Sequence, residues 1–326
     1  MKRFPTRSTT ASLAFFLAIG GASAADLGLA NQFNGFLFGN AVTSGGHSDG
    51  AMAVGGSWSG SGYDALQSSL AATVGSLTNV GMYVGGSVNF TASGSVNNSG
   101  NAYVNGDFHG NTFNMNGGTL YYGGSVSGVN GSKVNQANTV SASTFADQYA
   151  YSVLQSNYLA SLGGEAINTA DPNNWSVNAA NQSGSLKLYT ISASDLNKLR
   201  TLNFSNLGSG DTAVINVLGA TVVGFGITVN TNTGSYSHLL WNFSTAGSIA
   251  IDQRALHGSI LAPNADVTQS QNIDGNLIAD NLTVLGSVEL HNGIQAKFGG
   301  DIPVPEPATI LVALAGLAGI AFRRRR

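Results

Sequence analysis

One short stretch of the chain has the spacing of an enzymatic nucleophile. Gly46-His47-Ser48-Asp49-Gly50 satisfies G-x-S-x-G, the elbow that in α/β-hydrolases lifts a serine onto a sharp turn between a strand and a helix. The next residues are Ala51-Met52-Ala53-Val54-Gly55-Gly56, a short strand closed by glycines, and no alternating βαβ pattern surrounds them. Ser48 is therefore not expected to be a catalyst. Five histidines, His47, His109, His238, His257 and His291, are scattered, with no pair at the helical or hairpin spacing that grips a metal. They read as single turn or surface residues, and no catalytic, cofactor-binding or metal-ligating residue is assigned. Asp252, Asp266, Asp274, Asp280 and Glu289 gather near the C-terminus. Stacked elements could bring two of them together for glycoside hydrolysis or for calcium binding. The sequence has no Asp-x-Asp-x-Asp or Gly-Gly-x-Gly-x-Asp loop to support either role, so solvated corner residues are expected. Only Thr231-Asn232-Thr233 approaches the threonine ranks that an ice-facing surface needs.

The elements that carry these residues can be read from composition. Of 326 residues only 9% are charged, while 44 are glycine and 6 proline; ordinary soluble domains carry about 25% charged residues. Apolar β-branched residues interleaved with Gly and Asn describe short strands and tight turns. Cysteine is absent, which excludes disulfides, thiolate metal sites and a cysteine nucleophile. Between residues 25 and 302 there are six basic and fifteen acidic side chains, a net charge of −9. An acidic body repels phosphate, so neither nucleic acid nor lipid headgroups are expected partners.

Short phrases recur. Ala53-Val54-Gly55-Gly56-Ser57, Tyr83-Val84-Gly85-Gly86-Ser87, Tyr103-Val104-Asn105-Gly106-Asp107 and Tyr121-Tyr122-Gly123-Gly124-Ser125 form one family; Gly258-Ser259-Ile260-Leu261-Ala262 and Gly275-Asn276-Leu277-Ile278-Ala279 form another. Periods near 20 with strands in each unit predict a mainly β fold, a parallel β-helix or solenoid; a β-sandwich of Gly- and Asn-rich hairpins is the alternative. Gly56, Gly86 and Gly124 are expected where a β-carbon would be crowded. Ser141 to Leu162 contains no Gly or Pro and predicts one long helix packed alongside, with Ser143 as N-cap. Its apolar residues fall on two faces, Ala142, Phe145, Ala146, Tyr149, Val153 and Ala160 against Tyr151, Leu154, Tyr158 and Leu162. Ser192 to Asp195 fits the cap of a shorter helix.

Both termini read as targeting segments. Residues 1–24 have the basic start, apolar run and Ala22-Ser23-Ala24 cleavage site of a signal peptide, a substrate for signal peptidase. Residues 25–302 then form a single β-rich body. Residues 303–326 place Pro305, Glu306 and Pro307 ahead of an apolar stretch from Ala308 to Phe322 and a tail of Arg323, Arg324, Arg325 and Arg326. The stretch suits a short membrane helix held with its arginines in the cytoplasm. This order of parts resembles the PEP-CTERM sorting signal of Gram-negative bacteria, which implies processing by an exosortase near the triad and delivery to the cell surface, outer membrane or extracellular matrix.

The body carries a second resemblance. Asn34-Gly35-Phe36-Leu37-Phe38-Gly39-Asn40, Ser48 to Gly56, Ala213-Val214-Ile215-Asn216-Val217, Leu239-Leu240-Trp241-Asn242-Phe243, Gly258 to Ala265 and Asp274 to Ala279 resemble the choice-of-anchor A domain. The resemblance implies a cell-surface role without established chemistry: a non-enzymatic structural or adhesive protein. A carbohydrate- or protein-ligand-binding module, toward exopolysaccharide or a collagen-like polymer, is the second reading, and a polysaccharide-processing enzyme the third. The coils also resemble, distantly, the ice-binding β-helix.

Overall fold

A computed structural model describes residues 24–25, 27–136, 140–171, 173, 175–198, 200–291 and 297–303. Among these the strands pair almost entirely in parallel, as a solenoid requires and a hairpin sandwich forbids. The antiparallel pairings among them are the hairpin of Ala72–Val74 with Leu77–Val84 and the pairing of Ala24–Ala25 with Ile302–Pro303. Three ladders give the rod three faces. The first runs through Glu165–Ala166, Leu186–Ser192, Thr212–Leu218, Leu239–Asn242, Ser259–Gln269 and Leu277–Val284, then Gly35–Leu37, Met52–Val54, Leu77–Val84, Asn101–Val104, Phe108–Tyr122 and Val126–Asn135.

That order is not chain order. The N-terminal half starts mid-rod and grows toward one tip. The helix α1 (Ala142–Ser161) carries the chain back along the first face, and the C-terminal half starts at the other tip and returns. First and last coils meet at a joint, with Gly35 opposite Leu277, Ala41 opposite Leu282 and His47 opposite Glu289 on the three faces. Local repeats cannot encode this docking, because it unites residues about 240 positions apart.

Side-chain alternation fills two cores. Leu37, Val54, Val84, Val104, Trp241 and Ile260 point into the rod, among buried aromatics such as Trp58, Phe90, Phe108 and Phe113. Their neighbours Phe36, Ala53, Tyr83, Tyr103, Leu240 and Ile278 point out of the first face and are buried in a second cluster, beneath α1 and the segment that begins at Leu27. Phe145 of α1 packs on Phe36 and stacks on Tyr83 at 5.6 Å.

The helix differs from expectation in its cap and its buried face. Ser141 holds the N-cap position and Ser143 falls in the first turn. Phe145 is buried as expected, but it is joined by Gln148, Ser152, Gln155, Ser156 and Leu159, while Ala142, Ala146 and Tyr149 are exposed. A polar stripe can be buried because the sheet answers it. Ser156 donates to Asn242 Oδ1 at 2.6 Å, and Asn216 Nδ2 donates to the carbonyls of Leu159 and Gly163, both at 2.9 Å, satisfying groups that a helix end leaves open. The shorter helix, Ala193–Leu196, starts as expected, with Ser192 accepting from the Asp195 amide.

Glycines form the corner between first and second faces. The amides of Gly56, Gly86, Gly106 and Gly124 donate to the carbonyls of Gly39, Gly56, Gly86 and Gly106 at 2.7–3.0 Å. Beside them a polar rank runs Asn281, Asn40, Ser57, Ser87, Asp107, Ser125, each side chain accepting from the next residue's amide. The rank crosses the joint without interruption.

Candidate functional site

Stacking brings titratable groups together on the third face. Register aligns Glu289, His47, Asp64, Ser95, Asn114 and Asn130 in one outward row. His257, Asp274 and His291 align in the next. His291 Nδ1 lies 2.7 Å from Asp274 Oδ1, and its Nε2 is hydrogen-bonded to Glu289 Oε2. His47 Nδ1 is 3.5 Å from Glu289 Oε1, and His257 Nε2 is 3.2 Å from Asp274 Oδ2. Asn272 braces Glu289, accepting from its amide at 3.0 Å. The cluster straddles the joint: His47 belongs to the first coil, Glu289 and His291 to the last.

Partial burial alone would lower the pKa of His291, but the hydrogen bonds with Asp274 and Glu289 outweigh it and raise the pKa. One atom each from His47, Glu289 and His291 lies within 4.8 Å of the others. These histidines read as scattered in the sequence, and the structure corrects that for three of the five. A signal was present: His257, Asp274 and His291 share the spacing of 17 that separates Gly258 from Gly275. His47 carried no such signal, since it joins only through the docked ends.

The other candidates stay apart from the cluster. His109 meets Ser127 on the second face, and His238 Nδ1 lies 3.0 Å from the Asp211 carbonyl. Ser48 is fully buried and donates to the Gly50 carbonyl at 2.9 Å; it sits in the strand His47–Ser48, not at an elbow before a helix. Asp266 and Asp280 do converge, both accepting from the side-chain amide of Asn281. Burial, then the nearby Asp266, raises the pKa of Asp280. Thr231 and Thr233 lie around a turn, Thr231 donating to the Ser235 carbonyl. Tyr63, Tyr83, Tyr103 and Tyr189 are buried, Tyr83 and Tyr103 in the second cluster on the first face.

The second face is open instead. Thr268, Thr283, Val42, Ser59, Asn89, His109 and Ser127 succeed one another in register and stand at least partly exposed. Ala22, Pro305, Glu306, Pro307, the stretch Ala308 to Phe322 and Arg323 to Arg326 lie outside the described residues. Among the described residues, no helix is long and apolar enough to cross a membrane.

A solenoid with a helix along one face defines a class that comparison makes specific. Residues 26–292 match the family described as "Putative Ice-binding-like adhesive domain", and the chain belongs to that family. Residues 303–326 match the PEP-CTERM protein-sorting motif. Among solved structures, the ice-binding protein from the Antarctic ascomycete Antarctomyces psychrotrophicus is similar at 15% identity and a TM-score of 0.39, over 82% of this chain and 97% of that one. No curated protein matches the chain.

Proposed function

We propose that this chain is an exported, non-enzymatic adhesive protein of a Gram-negative cell surface or extracellular matrix, with a choice-of-anchor A body on residues 25–302. The observation that carries this reading is the pairing, in one chain, of an ice-binding-like adhesive domain with a PEP-CTERM motif. Signal peptidase acts after Ala24. Pro305-Glu306-Pro307 presents the chain to an exosortase while the apolar stretch and Arg323 to Arg326 hold it transiently in the inner membrane. A tagged copy is expected to reach the surface only in cells with an active exosortase. Glu306→Ala should leave the full-length form in the membrane fraction. Normal processing and delivery of that variant would sink the sorting reading.

For the ligand, the open second face favours polysaccharide. Apart from Val42, its row offers hydroxyl, amide and imidazole side chains at the inter-strand spacing of about 4.8 Å, a hydrogen-bonding surface suited to a polymer with regular hydroxyls. Binding of the purified protein to a glycan array, weakened by Asn89→Ala together with Ser59→Ala, is the expected result. Binding to collagen-like protein alone would move the ligand to the protein class. Release of new reducing ends from matrix polysaccharide would overturn the non-enzymatic reading.

A further inference from the structure

We propose that His47, Glu289 and His291 form a site for a divalent transition-metal ion of the zinc type, which fastens the last coil of the rod to the first. This goes beyond adhesion and does not depend on it. One donor atom from each residue lies within 4.8 Å of the others, and the His47 Nδ1 to Glu289 Oε1 separation of 3.5 Å is close to the donor spacing around tetrahedral zinc, about 3.4 Å for bonds near 2.1 Å. At 3.5 Å that pair makes a poor hydrogen bond. Asp274 holds His291 Nδ1 at 2.7 Å, in the carboxylate–histidine arrangement typical of metal ligands, and Nε2 faces Glu289 Oε2 in a hydrogen bond that a bound ion would replace. Asn272, bonded to Glu289 through both backbone and side chain, fixes the third donor.

The three donor side chains are 28–35% exposed, so a fourth position faces solvent and can take water. Two imidazoles and one carboxylate suit zinc, cobalt, nickel or copper; calcium and magnesium prefer more oxygen donors. Because His47 lies across the joint from the other two, binding holds the first and last coils together.

The test uses the full-length chain in detergent, purified through a histidine-free tag and stripped with chelator. Titration with Zn²⁺ in a calorimeter should show one ion per chain and a rise of several degrees in Tm, with Ca²⁺ producing neither. Co²⁺ should give the visible absorption of nitrogen-ligated tetrahedral cobalt. His47→Gln and His291→Gln should abolish both signals, while His109→Gln on the second face retains them. If either glutamine variant fails to fold, Asp274→Asn keeps all three ligands and should weaken Zn²⁺ about 10- to 100-fold. The proposal falls if the wild-type chain binds no stoichiometric Zn²⁺, if His47→Gln or His291→Gln binds it as well as wild type, or if Asp274→Asn leaves affinity unchanged.

Discussion

A β-carbon built on Gly86 would lie 2.7 Å from the Gly56 carbonyl oxygen and 2.6 Å from Ser57 Oγ. Backbone cannot step aside there as a flexible side-chain tip could, since the same carbonyl accepts the Gly86 amide at 2.8 Å. Gly86→Val is therefore expected to cost about 3 kcal/mol, measured by chemical denaturation. Gly210 has nothing within 4 Å, and Gly210→Ala should change stability by no more than about 0.5 kcal/mol. In the adjoining polar rank, the Ser125 amide and then its hydroxyl donate to Asp107 and hold its pKa below the ordinary 3.8. With the folded pKa depressed, the stability Asp107 contributes is present above pH 3.8 and lost as pH falls through the folded value. Carboxyl NMR titration should place its midpoint below 3.8. Asn40 fills the same place in the first coil and accepts from the Ser57 amide at 2.9 Å, so Asp107→Asn should keep the rung and remove this titration.

At the scale of elements, α1 is held by hydrogen bonds as much as by apolar contact. Asn216 satisfies the Leu159 carbonyl in its last turn and the Gly163 carbonyl just past its end, and accepts from Asn242 at 2.8 Å. Asn216→Ala leaves buried polar groups without partners and should destabilise the protein by about 2 kcal/mol. Asn216→Asp, of equal size but lacking the donor, should cost at least as much, as read from denaturation midpoints. The existence of the helix was legible because Ser141 to Leu162 lacks helix breakers. Its buried face was not, because periodicity counts apolar residues and the stripe through Gln148, Ser152 and Gln155 is polar. Corner glycines were likewise legible, and their spacing of 30 between Gly56 and Gly86 has a local cause: the hairpin of Ala72–Val74 with Leu77–Val84 interrupts that coil. The histidine cluster was half legible, through its period of 17, and hidden where His47 enters from the far end of the sequence.

For the whole molecule, the docked joint removes two sheet edges that would otherwise lie open. Without residues 272–303, Gly35–Leu37 and the Ile260–Ala262 segment would each present unpaired backbone, the usual template for association between chains. A chain lacking those residues is expected to run as aggregates in size-exclusion chromatography while the intact body runs as a discrete species. The outer tip at Val126–Asn135 is protected differently: Lys133 folds back onto the carbonyls of Val129 and Gly131 at 2.8 and 3.2 Å, and a charged edge discourages stacking of rods end to end.

The pairing of Ala25 with Ile302, next to the Gln155 bond to the Pro303 carbonyl, sets how such a rod would stand on a cell. A tether joined at Pro303 would meet the flank that carries α1 and not a tip, so the molecule would rest like a plank on a post. Its helix side would then turn toward the cell, and the second and third faces would look outward along their whole length. Pulling on a polymer bound to those faces would load many coils in shear at once, whereas a tip-mounted rod would be peeled one rung at a time.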